Sequence, residues 1–221
     1  MSDSVLTMGR SPGAINEFFL MLKLASHPLV LIFVTSLFLY VLIEQSIGSW
    51  LPTFNNQVLQ LPTNISIQIT SIFAFSLALG RLCAGLLLYR LHWYWLLTSC
   101  VCMMALLVLL TLPLSRGIEP HYVSSWFNLP AAAYLFPLIG LFMAPIYPSL
   151  SSAILSSIPV NQHSFMTGLI IIFSALGGTT GSVLTGVLFS KFSGQTAFYM
   201  TLIPMAIMLV LFYRLKCETE R

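Results

Sequence analysis

Residues 96–112 read LLTSCVCMMALLVLLTL, and their reading decides the class of fold. Wound as a helix, this stretch carries apolar side chains on every face, so no stripe is left for water. A strand of a transmembrane barrel would instead show about ten residues of alternating polarity. With its flanks the run approaches the roughly 20 residues a helix needs to cross a hydrocarbon core of about 30 Å. Runs of the same kind lie on either side of it, and spans are expected at 29–54, 67–89, 93–112, 130–157, 165–189 and 195–213. The expected fold is all-α and integral to the membrane, with six transmembrane helices in one domain over 29–213.

Composition points the same way. Of 221 residues, 57% are hydrophobic and 7% charged, where soluble domains carry about 25% charged residues. Mean hydropathy is +0.92. So few charges cannot solvate a globular surface, which excludes a soluble enzyme or nucleic-acid module. The net charge of +3 comes from Lys and Arg residues too scattered to form a basic stripe, so no nucleic-acid partner is expected. The charge reads as topology. Arg10, Lys23, Arg81, Arg90, Arg214, Lys216 and Arg221 collect on one side of the predicted spans and only Arg116 and Lys191 on the other, which predicts both termini in the cytoplasm. Tyr89, Trp93, Tyr94 and Trp95 at one interface, with Trp50, Tyr122 and Trp126 at the other, suit aromatic belts.

Residues 1–28 lack the short apolar core and small-residue cleavage site of a secretory signal. Ile15, Phe18, Phe19, Leu22 and Ala25 recur there at helical spacing opposite Glu17 and Lys23. That pattern predicts an amphipathic cytoplasmic linker helix, and residues 214–221 a cytoplasmic tail. Cys83, Cys100, Cys102 and Cys217 have no zinc spacing, and His27, His92, His121 and His163 are scattered over separate connections. No metal, cofactor or enzymatic activity is expected.

An ionisable side chain near the bilayer centre costs about 2.5–3.5 kcal/mol on insertion scales, so such residues are functional candidates. Among the acidic residues, Asp3, Glu17, Glu119, Glu218 and Glu220 fall in termini or loops, whereas Glu44 falls near the middle of the first span. Ser36, Tyr40, Glu44 and Gly48 follow at four-residue spacing and share a helix face, widened by Gln45 and Ser46. Glu44 either lines a water-accessible cavity, binding solute or a proton, or closes an interhelical hydrogen bond. With no Lys or Arg assigned to the membrane interior, the expectation is a cavity and not an ion pair.

In the fourth span Pro137, Pro145 and Pro148 each remove a backbone donor and crowd the carbonyl four residues earlier. The result is a kinked packing helix or a broken gating helix around Tyr147, Pro145 and Pro148. In the fifth, Ser174, Gly178, Ser182 and Gly186 form one row of small residues and Gly177, Gly181 and Thr185 another. Such rows let backbones approach closely, a packing role first. Ser76, Gly80 and Ala84 are a thinner version in the second span.

Several of these runs resemble a known family. The stretch 39–50, LYVLIEQSIGSW, resembles the seventh helix of fucose-permease-like sugar transporters of the major facilitator superfamily. Gly80-Arg81-Leu82-Cys83-Ala84-Gly85 resembles the glycine and arginine loop signature at the cytoplasmic end of the eighth helix. Residues 140–148, GLFMAPIYP, resemble the tenth, and Ser174-Ala175-Leu176-Gly177-Gly178 the eleventh. The resemblance implies the carboxyl-terminal half of a twelve-helix carrier, itself a possible three-plus-three inverted repeat, working against a missing amino-terminal half; the rival within transport is a self-sufficient chain that pairs with a second copy. It implies a bacterial inner (plasma) membrane, and proton-coupled uptake of a sugar or similar small polar solute by alternating access. Glu44, Gln45, Asn55, Asn56 and Tyr147 would then bind solute or protons. The rival expectations are a self-dimerising channel and a six-helix scaffold protein without carrier activity.

Overall fold

The computed structural model describes residues 27–88, 92–115 and 128–219. The amphipathic pattern Ile15–Ala25 of the predicted 1–28 linker, the belt residues Tyr89, Tyr122 and Trp126, and the charges Arg10, Lys23, Arg90, Arg116 and Arg221 lie outside them. The described residues form helices α1 (Pro28–Gln57), α2 (Thr63–Leu88), α3 (Trp93–Leu114), α4 (Ala131–Met143), α5 (Ile146–Ser157), α6 (His163–Lys191), α7 (Gly194–Tyr199) and α8 (Leu202–Thr219). They make six helical stretches long and apolar enough to cross a bilayer. The protein is an all-α membrane protein.

Local chemistry sets the ends of these helices. Pro28 opens α1 behind an extended His27, a position where its missing N–H is not needed. The α1–α2 turn closes through Leu61 N–H donating to the Asn55 carbonyl at 3.1 Å, with Gln60 in the left-handed region at φ 55°. The prolines of the fourth span act unequally. Pro137 stays inside α4, while the chain turns at Ala144–Pro145 and restarts as α5. Pro148 falls in the first turn of α5, where backbone donors lack intrahelical partners anyway, so it does not interrupt that helix. Ser149 donates through both its backbone N–H (3.2 Å) and its hydroxyl to the Pro145 carbonyl, starting the hydrogen-bond ladder of α5 just past the break. The sixth span, expected as one helix over 195–213, is also divided: α7 ends in a turn at Met200–Thr201 and α8 begins at Leu202. Pro204 near the start of α8 fits that restart.

Helix α1 is the central element. Within its most apolar window 61% of residues are buried, against 22% for α2 and for the span containing α6. It packs most extensively on α6 and also touches α2, α5, α7 and α8, while α4 lies between α2 and α3. The α1–α6 seam is set by glycine. A Cβ on Gly177 or Gly181 would come closer than 3.0 Å to the carbonyl oxygen of Phe38 or Leu42. Two side chains cross this seam: the Ser46 hydroxyl donates to the Gly181 carbonyl (3.1 Å), and the Trp50 indole N–H to that of Ser182 (2.9 Å). A second seam joins α2 to α4, where a Cβ on Gly80 would fall 2.6 Å from both the Leu141 carbonyl oxygen and the Ala144 Cβ.

One end of the core is aromatic. Phe54 contacts Phe136 and Phe198 with ring centroids 5.0 and 4.6 Å apart, and Trp50 stacks on Phe189 at 5.1 Å. Near the other end Lys216 Nζ lies 4.9 Å from the Tyr94 ring centroid. Outward faces carry Phe75, Leu82, Ile171, Val183 and Val210, all more than half exposed. Apolar surface of that extent suits lipid and not water.

Candidate functional site

Four helices meet at a cleft of about 400 Å³ lined by Val41 and Glu44 of α1, Arg81 of α2, Tyr147 and Pro148 of α5, and Ser174 of α6. At 1.5 Å per residue, Glu44 stands about 24 Å from one end of α1 and about 20 Å from the other. Arg81 reaches it from α2, giving an ion pair with Nη2 2.9 Å from Oε1. This corrects the expectation that no Lys or Arg would neutralise Glu44. Arg81 is a side chain of the cleft as well as a neighbour of the glycine seam. The clue was in the sequence, because Arg81 lies more than two helical turns inside the predicted end of the second span at 89. Its match to a loop signature directed attention to the membrane surface instead.

The pair is asymmetric. The Glu44 side chain is 15% exposed and that of Arg81 50%, so Glu44 is the more enclosed partner and Arg81 the more accessible one. Behind them the fully buried Tyr40 packs against Tyr147 with centroids 6.0 Å apart. Its hydroxyl is within electrostatic reach of both charges but closes no hydrogen bond. The Ser174 hydroxyl, in the opposite wall, is also buried without a partner. Sequence reading placed Tyr40 on the Glu44 face but did not single it out, and Ser174 appeared there only as a packing residue.

Other predicted site residues are elsewhere. Gln45 is exposed beside the α6 seam, its Oε1 accepting from the Ser49 hydroxyl at 3.1 Å. Asn55 and Asn56 stand about 17 Å further along α1 than Glu44. Asn55 is fully buried with neither side-chain polar atom partnered, and Asn56 donates to the Leu61 carbonyl at 2.9 Å. Thus only Glu44 and Tyr147 of the five predicted ligands share the cleft. Pro145 marks the α4–α5 break and Pro148 lines the cleft. Gly178 faces the Gln45 and Val41 side chains, Gly186 the Trp50 ring, and Ser182 accepts the Trp50 indole. Among the described residues nothing lies within 4 Å of a Cβ position on Gly85, so unlike Gly80 it joins no seam between them.

Among the described residues no group of His, Cys, Asp and Glu side chains is arranged to hold a metal. No protein-family model and no curated protein sequence matches the chain.

Proposed function

We propose that this chain is a six-helix half of a secondary active transporter that takes up a small polar solute with protons by alternating access. The observation that carries the reading is the Glu44–Arg81 pair lining the cleft, with Glu44 midway along α1 and Arg81 about 10 Å inside the end of α2. A half-exposed arginine inside an apolar span is poorly served by lipid tails and is stabilised by water or by another protein surface. A solute cavity enclosed by a facing half supplies both. That half is an amino-terminal six-helix unit, as the major facilitator resemblance implies, or a second copy.

The surrounding geometry suits the mechanism. The α1–α6 and α2–α4 pairs are each held at backbone contact by glycine, so each pair tends to move as a unit. The Glu44–Arg81 pair ties one unit to the other. A proton taken up by Glu44 removes one charge of that tie, and the chain break at Ala144–Pro145 gives α5 a hinge beside the same cleft. Solute and proton thereby bias the same two-state element, which is the physical requirement for coupling.

The test is uptake into proteoliposomes containing the chain alone or co-reconstituted with an amino-terminal six-helix half. Saturable uptake that rises with an inward proton gradient, and is lost in Glu44→Gln despite normal membrane insertion, is expected. Flux that grows linearly with driving force and ignores the gradient would refute a carrier.

A further inference from the structure

We propose that the solute bears a carboxylate, with Arg81 as its receptor and Glu44 as the internal carboxylate it displaces. This deepens the carrier reading above and rests on it. A guanidinium has five N–H donors arranged to hold a carboxylate through two parallel bonds. Arg81 makes one contact with Glu44, at 2.9 Å. Its remaining donors belong to a side chain that is half exposed, while Glu44 is 15% exposed. What the cleft presents to its contents is therefore the cation.

The other polar groups add to this. Ser174 lines the cleft, its hydroxyl without a partner among the described residues, and the Tyr40 hydroxyl is fully buried behind the pair, directed at Glu44 and Arg81 and not at the cleft contents. Ser174 can donate. Glu44 is the acceptor-only side chain in the cleft lining, and Arg81 contacts it at Oε1 alone. A carboxylate is acceptor-only and matches the fork and the charge of the guanidinium, whereas a neutral sugar brings no charge to it. The cleft of about 400 Å³, this chain's share of the cavity, is within the range of ligand pockets, about 300–1,000 Å³.

Displacement also defines the coupling. Glu44 and the incoming carboxylate compete for one guanidinium. When Glu44 takes a proton on its carboxylate it becomes a neutral acid and Arg81 is released to the solute. On the far side the solute leaves, Glu44 gives up that proton and the pair re-forms. One anion and one proton cross together, with no net charge moved. The titratable groups facing Glu44 are Tyr40 on its own helix, Arg81 from α2 and Tyr147 from α5. Among the described lining residues α6 contributes Ser174, and α7 and α8 contribute none.

The test uses the full chain in lipid nanodiscs, alone and co-reconstituted with an amino-terminal six-helix half, with the thermal unfolding midpoint read against added lactate or succinate, and against fucose or glucose, at acidic and neutral pH. Wild type is expected to be stabilised by the acids, more strongly at acidic pH, and not by the neutral sugars. Glu44→Gln is expected to bind lactate about tenfold more tightly at neutral pH, since a charge-assisted internal competitor is gone, and to lose the pH dependence. Arg81→Gln should lose the response, and Arg81→Lys should weaken it by removing the fork. If Arg81→Gln does not fold, Glu44→Gln and Arg81→Lys decide. Unchanged or weaker lactate binding in Glu44→Gln, or no response of wild type to either acid, overturns the proposal. Stabilisation by a neutral sugar alone also overturns it but keeps the carrier, whose own test is the uptake measurement.

Discussion

Replacing Gly181 by Ala inserts a methyl group where α6 meets the backbone of α1. Its Cβ would fall closer than 3.0 Å to the Leu42 carbonyl oxygen, whereas carbon-to-oxygen contacts between packed helices sit at about 3.3–3.6 Å. The obstacle is backbone, so no side-chain rotation relieves it, and the seam must open by about 1 Å. That opening would stretch the Ser46–Gly181 and Trp50–Ser182 hydrogen bonds, now 3.1 and 2.9 Å, beyond bonding range. Overpacking costs about 1–3 kcal/mol, and each interhelical hydrogen bond in a membrane protein is worth about 0.6 kcal/mol. Against this, alanine is favoured over glycine in a helix by about 1 kcal/mol. The net expectation is a loss of about 2 kcal/mol. Gly85→Ala is the internal control: among the described residues nothing lies within 4 Å of its Cβ position, so the helical preference acts alone and the variant should gain up to about 1 kcal/mol. Equilibrium unfolding in mixed detergent micelles, followed by helical circular dichroism, measures both. Equal stability of Gly181→Ala and Gly85→Ala would refute the argument that glycine sets this seam.

Two further outcomes follow from side-chain placement. Asn55→Leu removes a buried amide whose polar atoms have no partners and should raise stability by about 1 kcal/mol while leaving uptake intact; lost uptake would return Asn55 to the site. In a double-mutant cycle, the summed losses of Glu44→Gln and Arg81→Gln should exceed the loss of the double variant by a coupling of about 1–3 kcal/mol, between exposed and buried pairs. Additive losses in the same unfolding assay would show that the pair contributes nothing to holding α1 on α2.

Much of the fold was legible because lipid permits so few solutions. A helix apolar on all faces, as in 96–112, satisfies its own backbone and nothing else in the bilayer does so without closing a barrel. The glycine row of the fifth span was equally readable, since close approach needs a missing Cβ whatever the partner. The inequality of the prolines was not. Pro137, Pro145 and Pro148 share one chemistry, and only the α4–α5 register shows that Pro148 falls in a first helical turn while Pro145 marks the break. The candidate site divided in the same way. Glu44 stood out by its energetic cost, but Gln45, Asn55 and Asn56 were grouped with it by closeness in sequence. About 100° of rotation for Gln45, and about 17 Å of rise for Asn55 and Asn56, remove them from the cleft.

By itself, then, the sequence determined that the chain is helical and membrane-spanning, that α6 carries a surface for close packing, and that Glu44 is its expensive residue. Those conclusions depend on local periodicity and on the energy of single groups in lipid. Tertiary structure alone decided that Arg81 is the partner of Glu44, and that Tyr40, Tyr147 and Ser174 surround them. The physical reason is that these residues come from four helices, and rotation about each helix axis, fixed by backbone contact at Gly80, Gly177 and Gly181, determines which side chains share a cleft.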